Sequence, residues 1–260
     1  MLNNNFLLVT DKFNGFSSVK NVLTIKQLIQ LISSYPEANG QVDEFINIIP
    51  GQGLSEQDVK DIFKIIKILG KSECIKLLPR IQSAPASLSH KHNEANTLIS
   101  KPFKIKDDFY ELDMVIDERC ELMLDHQTGK HVQGMILMES ARQAFLAVSE
   151  EFFIEKGSTP RYFVINEMKA EYKRFVFPLP ASIKYKIVEK NISNVDKMSF
   201  TAEMELYQSG LCAATFFVKF MIFPAARISE RESQLAEEAV DSFMQIQAAN
   251  DDDMVPQQVG

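Results

Sequence analysis

The feature that most constrains this chain is a helical segment that is apolar on nearly every side. Residues 134–153 read Gly-Met-Ile-Leu-Met-Glu-Ser-Ala-Arg-Gln-Ala-Phe-Leu-Ala-Val-Ser-Glu-Glu-Phe-Phe. A surface helix carries one apolar stripe, whereas a helix apolar all round must be walled in on several sides. The segments around it supply the walls. Tyr110, Leu112, Met114 and Ile116 alternate with Glu111, Asp113 and Asp117, the period of a half-buried strand. Ile183, Tyr185 and Ile187 alternate with Lys184 and Lys186, and Met198, Phe200, Ala202, Met204 and Leu206 with Thr201, Glu203 and Glu205. Residues 161–167 and 170–177 read as two further strands. Leu211 to Phe223 is apolar on both faces apart from Thr215 and Lys219, as an interior strand should be. Asn194-Val-Asp and Gln208-Ser-Gly supply hairpin turns. One or two strands, a buried helix, then four strands joined by short turns predict an α+β architecture. An antiparallel sheet curls around one long central helix.

Residues 1–85 read differently, as a mostly helical N-terminal region. Phe6-Leu-Leu-Val is a candidate strand. Thr24 opens a helical stripe of Ile25, Leu28, Ile29, Leu31 and Ile32, ended by Tyr35-Pro36 and Asn39-Gly40. Ser55-Glu-Gln-Asp58 is an N-cap followed by acids, and the helix it starts ends near Gly70. Residues 71–80 read as a further short helix, and 82–89 as a small, polar linker. The sheet-and-helix unit then spans 88–226. Residues 227–260 form an acidic tail: an exposed helix over 228–248, then a disordered end from 249.

That tail carries the whole charge imbalance. Residues 228–260 hold eight acidic side chains and one basic, Arg231, whereas the other 227 residues balance at 27 of each sign. The net charge of −7 is thus no property of the body and weighs only weakly against nucleic acid as a partner. Cys74, Cys120 and Cys212 lie far apart with no CxxC, which excludes a disulfide framework and fits a reducing cytoplasm. No apolar run approaches the ~20 residues of a bilayer span. Met1-Leu-Asn-Asn-Asn lacks the basic and apolar parts of a signal peptide. The chain contains no GxGxxG, GxxxxGK[ST], GxSxG or HExxH, so nucleotide cofactors, serine hydrolysis and zinc-protease chemistry have no support.

The chemistry concentrates at the entrance to the buried helix. Asp125-His-Gln-Thr-Gly-Lys-His-Val-Gln-Gly134 is a dense polar run. Gly134 permits close backbone approach, and a helix N-terminus offers free N–H groups and a positive dipole to a thioester carbonyl or developing oxyanion. Glu139 and Arg142 share a face three residues apart inside an apolar helix. They form either a structural ion pair or a catalytic acid–base group, Glu139, held by Arg142. His126 and His131 are candidate bases or phosphate ligands. Asp125 either orients His126 or serves the turn. His90-Lys91-His92 has metal-like spacing but no completing ligands, so no metal is expected. Cys120 reads as a core thiol.

The segment Asp125-His-Gln-Thr-Gly-Lys-His-Val-Gln-Gly-Met-Ile-Leu-Met-Glu-Ser-Ala-Arg-Gln-Ala resembles the AfsA-type (A-factor biosynthesis) hotdog domain. That family carries an Asp-His stretch, then Gly and Glu-x-x-Arg-Gln at the start of the hotdog helix. His90-Lys91 before a strand and Phe175-Val-Phe-Pro178 at a strand end extend the resemblance over about residues 88–226. It is similar, more distantly, to the hotdog dehydratases of fatty-acid synthesis. The resemblance implies acyl-thioester chemistry without a cofactor. A β-ketoacyl group passes from acyl carrier protein or coenzyme A to a small hydroxylated acceptor of glycerol-phosphate type, in signal or secondary-metabolite synthesis. Carried over, Glu139, Arg142 and His126 are the catalytic candidates. Asp125, His131, Gly134, Met135 and Gln143 bind substrate, the amides of Gly134 and Met135 polarising the thioester carbonyl. The family usually has two hotdog copies and this chain shows one, which implies a homodimer. A dehydratase or thioesterase, and a non-catalytic acyl-binding module, are the alternatives on the same fold.

Overall fold

A computed structural model of the chain describes residues 5–34, 45–124 and 129–253, with side chains described as far as residue 247. The N-terminal region runs β1 (Asn5–Val9), a 3-10 helix (Asp11–Ser18), β2 (Val22–Thr24), α1 (Ile25–Ser34), β3 (Ile46–Pro50), α2 (Glu56–Ile68) and β4 (Ile75–Leu77). The remainder runs α3 (Ala86–Ser89), β5 (Phe103–Lys106), β6 (Phe109–Met114), α4 (Glu121–Leu124), α5 (Gly134–Phe152), β7 (Arg161–Tyr172), β8 (Ala181–Asn191), β9 (Met198–Gln208), β10 (Leu211–Pro224) and α6 (Ala225–Asp253).

The second unit is the hotdog that the pattern predicts. Six strands pair in the order β5-β6-β8-β9-β10-β7, every pair antiparallel. The alternation assigned to β6, β8 and β9 holds residue by residue. Their apolar rows are buried in the core that holds α5, and Lys184, Lys186, Glu203 and Glu205 face out. The all-round apolar character of α5 has its physical counterpart in seven consecutive buried residues, Gln143 to Ser149, which leave no face of two helical turns in water. β10 lies inside the sheet between β9 and β7. The β9–β10 turn puts both Ser209 (φ 51°) and Gly210 (φ 77°) in left-handed conformations, the requirement of a tight hairpin that matches strand twist.

Several boundaries differ from the sequence reading, each for an identifiable reason. Residues 161–167 and 170–177 are not two strands but one, β7, followed by a bend. Lys219 pairs with Glu167 and Phe220 with Ile165, so Asn166 is an extra residue; this bulge breaks the alternation without ending the strand. Residues 71–80 form no helix; β4 occupies their middle and pairs with β3 through Ile46 and Ile75. Residues 86–89 of the supposed linker are α3. The C-terminal helix begins at Ala225 and runs on through residues 249–253, where a disordered tail was expected; residues 254–260 lie outside the described residues, as do Pro36, Asn39 and Gly40.

The N-terminal region contains two of the three expected helices, α1 and α2. Ser55 and Asp58 form a reciprocal capping box, with Asp58 N–H donating to Ser55 Oγ at 3.1 Å and Ser55 N–H to Asp58 Oδ2 at 2.8 Å. Between the helices the structure adds a four-stranded, all-parallel sheet of order β2-β1-β3-β4. Strands of three to five residues are too short to show a period, which is why only β1 was visible in advance. This sheet is joined to the hotdog. Gln52, 5% exposed, donates to the Met114 carbonyl at 2.8 Å and accepts from Ile116 N–H at 2.7 Å. Val9, Phe13, Phe16 and Val22 enter the same core as Phe145 and Phe220, and Phe16 stacks on Phe177 at 5.4 Å. No helix among the described residues is long and apolar enough to cross a membrane.

Two outcomes follow for stability. Tyr185 Oη is buried in the hotdog core with no protein partner among the described residues, and burial pushes its phenol pKa up. Tyr185→Phe removes a desolvated hydroxyl and should raise the melting temperature, by about 1 kcal/mol of stability. Gln52→Leu orphans a backbone donor and an acceptor between the two units and should cost about 2–4 kcal/mol in chemical denaturation.

Candidate functional site

The site is built where the first turns of α5 meet the segment that follows α3. Glu139 and Arg142 lie one turn apart on α5, as their spacing requires. Arg142 donates from Nε to Glu139 Oε2 at 2.7 Å and from Nη2 to Oε1 at 2.9 Å, a bidentate pair. Lys91 reaches the same carboxylate from outside the helix, Nζ to Oε1 at 2.8 Å. Gln143 adds a fourth contact, Nε2 to Oε1 at 3.0 Å.

Burial by itself would raise the Glu139 pKa. The bonds from Arg142, Gln143 and Lys91 outweigh it and hold the carboxyl at about 2, against an ordinary 4.5. The group is thus ionised at neutral pH and, so held, weakly basic. With two cations on one carboxylate, the cluster carries one net positive charge.

Gln143 is fully buried and acts as a bracket. It accepts from Leu98 N–H at 2.8 Å and donates to the Asn96 carbonyl at 2.8 Å. Asn96 Oδ1 in turn accepts from Glu121 N–H at 2.9 Å, which fixes the start of α4. The helix, the 94–98 segment and α4 are thereby tied together around Glu139. Cys120, buried just before α4, is near enough to sense both Lys91 and Glu139, and burial pushes its thiol pKa up.

At the helix start, Gln133 is the N-cap but does not cap with its side chain, which donates instead to the Leu122 carbonyl. Gly134 sits beneath Tyr172. Tyr172 Oη donates to the Gly134 carbonyl at 3.0 Å, and a Cβ on Gly134 would lie 3.3 Å from the ring. Gly134 is needed for this close approach. Met135 is 60% exposed and lies one turn before Glu139 on the same face. His131 rests on the Phe175 ring at 4.8 Å, and Val132 pairs with Val176.

The structure therefore brings Glu139, Arg142 and Gln143 into one cluster, and places Gly134, Met135 and His131 at the helix entrance. Asp125 and His126 lie outside the described residues. Sequence reading missed two side chains, Lys91 and Tyr172. Lys91 was visible only as part of His90-Lys91-His92, a triplet that the structure splits. His90 Nε2 meets Glu150 Oε1 at 2.7 Å while Lys91 turns to Glu139.

On the outer face of the sheet, lysines alternate with carboxylates. Lys184 stands opposite Glu205 and Lys186 opposite Glu203; Lys169 ion-pairs with Glu167 and Lys173 with Glu171. These lysines are locally balanced.

The depressed carboxyl makes a pH prediction. Because Glu139 titrates lower folded than unfolded, it adds stability above about pH 4.5 that is lost as the pH falls towards 2. The melting-temperature gap between wild type and Glu139→Gln should be constant above pH 5 and close between pH 4.5 and 2.

A family model described as the A-factor biosynthesis hotdog domain, AfsA, matches residues 75–224. Among solved structures, the chain is similar to a putative thioesterase, a phenylacetic acid degradation-related protein of Ralstonia eutropha. The two share 17% identity over 54% of this chain and 92% of that one, with a TM-score of 0.39. It is similar also to a mutant thioesterase of Pseudomonas aeruginosa, with 14% identity over 56% of this chain and 95% of that one and a TM-score of 0.40. No curated protein matches. The matched model covers more than half of the chain, and the chain belongs to the AfsA hotdog family.

Proposed function

We propose that this protein is an acyltransferase that moves a β-ketoacyl group from acyl carrier protein or coenzyme A to a hydroxyl of a small, glycerol-phosphate-type acceptor. The observation that carries the reading is the row on α5. An α5 N-terminus with no side-chain cap stands one turn before a carboxylate gripped by Arg142, Gln143 and Lys91. N–H groups of Gly134 and Met135 polarise the thioester carbonyl and hold the oxyanion that forms. Glu139 receives the acceptor hydroxyl proton as the new C–O bond forms. The C–S bond then breaks, and the proton passes to the departing sulfur. His126 and His131 assist in proton transfer, with Asp125 orienting His126.

A homodimer completes the site. Of the two edge strands, β5 and β7, β7 is the longer, at twelve residues. Tyr172 and Phe175 beside it are 49% and 69% exposed, and Met135 is 60% exposed. A second copy along this edge covers that apolar surface and closes a tunnel for the acyl chain. The protein acts in the cytoplasm, in keeping with its three free cysteines.

One observation favours a second reading. Glu139 at a pKa of about 2 suits a purely structural ion pair, in which case the hotdog binds acyl groups without turning them over.

Mass spectrometry of the purified protein with β-ketoacyl thioesters and glycerol phosphates separates the readings. An acyl ester on the acceptor is the expected product. Loss of water or a free acid would assign a dehydratase or thioesterase, and a retained thioester without product would assign a binding module. Glu139→Ala should slow ester formation about 100-fold or more, the usual contribution of a general base; unchanged turnover removes its role. Native mass spectrometry should report a dimer.

A further inference from the structure

Glu139 is held from two directions that are not equivalent. We propose that Lys91 is a positioning residue that leaves Glu139 for the anionic group of an incoming acceptor, so that the carboxylate gains basicity only when the acceptor hydroxyl is beside it. This rests on the acyl-transfer reading and deepens it.

The asymmetry is geometric. Arg142 springs from the same helix one turn away and engages both carboxylate oxygens at 2.7 and 2.9 Å. Gln143 is fully buried and locked to Asn96 and Leu98. Gln143 cannot leave without breaking that arrangement, and Arg142 would have to give up two hydrogen bonds at once. Lys91 makes one contact, at 2.8 Å, to one oxygen. Its ammonium rides on a flexible four-carbon stem that is 26% exposed, in a segment that follows the left-handed residue His90 (φ 54°). The two cations are about equally exposed, 26% for Lys91 and 29% for Arg142, so what sets Lys91 apart is that it has one bond to break and Arg142 two.

The charges point the same way. Arg142 and Gln143 face Glu139 from its own helix, Lys91 from the segment after α3, and the buried Cys120 thiol from before α4. Two cations against one carboxylate leave the cluster short of one negative charge, and an anionic acceptor supplies it. When the ammonium moves to that anion, Glu139 keeps Arg142 and Gln143 but loses a cation, and its carboxyl pKa rises from about 2. A carboxylate quenched until the acceptor arrives does not activate water, so the thioester is transferred rather than hydrolysed.

The test uses the full chain and sn-glycerol 3-phosphate as probe, with glycerol as the uncharged control. Calorimetry should show glycerol phosphate binding more tightly than glycerol. Lys91→Met should weaken glycerol phosphate roughly 10- to 100-fold, the range of one charge-assisted hydrogen bond, and leave glycerol unchanged. Lys91→Arg should restore most of the loss. Lys101→Met, which breaks the exposed pair with Glu151, should change nothing. In turnover, Lys91→Met should raise the acceptor KM with little change in kcat and increase thioester hydrolysis without acceptor. Equal binding by wild type and Lys91→Met, or an equal loss for glycerol, overturns the proposal. If Lys91→Met does not fold, the carbon-13 titration of the Glu139 carboxyl in wild type decides: its midpoint should rise at saturating glycerol phosphate, and a fixed midpoint overturns it. Absence of turnover on any thioester sinks the acyltransferase reading alone, because binding through Lys91 is read without it.

Discussion

The burial of α5 over the two turns from Gln143 to Ser149 is the constraint from which the rest of this structure follows. A helix with no face in water over two turns needs apolar partners on every side. The sheet supplies one wall, with inward rows from β6, β8, β9 and β10. α3 and the segment around Leu98, whose N–H donates to Gln143, also pack on the helix, and Phe13 and Phe16 of the N-terminal region belong to the same core cluster. The N-terminal region therefore shares the core of the hotdog. Gln52 reinforces this by hydrogen bonding across the join, where unpaired backbone groups would otherwise be buried.

The same burial gives the polar residues of α5 their meaning. A carboxylate on such a helix is costly unless it is paired, and Glu139 is paired three times over. Ion pairs on the exterior of the sheet, such as Lys173 with Glu171, stand in water and contribute little. The pairs at Glu139 are sheltered, so each one changes what the carboxylate can do. The set of Arg142, Gln143 and Lys91 decides whether Glu139 is an inert anion or a base. A cation that can move is then a control on reactivity.

The hotdog half was largely legible because its signals are local. Period-two alternation in β6, β8 and β9 and the all-round apolar run of α5 survive into the structure unchanged. The Glu139–Arg142 pair was legible because i and i+3 share a helical face. Where local signals fade, reading fails. The bulge at Asn166 shifts the alternation by one residue and made one strand look like two. β2 and β4 have three residues each, fewer than any period can mark. Their parallel pairing depends on neighbours supplied by distant segments.

The sequence by itself determined that a curled antiparallel sheet surrounds one buried helix, that Glu139 faces Arg142, and that the negative charge belongs to the C-terminal segment. Hydrophobic period and helical spacing set these, and both are properties of neighbouring residues. Only the tertiary structure decided that Lys91 shares Glu139, that Tyr172 lies over Gly134, and that Gln52 fastens the parallel sheet to the hotdog. Each is a meeting of residues far apart in the chain, and such meetings are chosen by how the whole core packs.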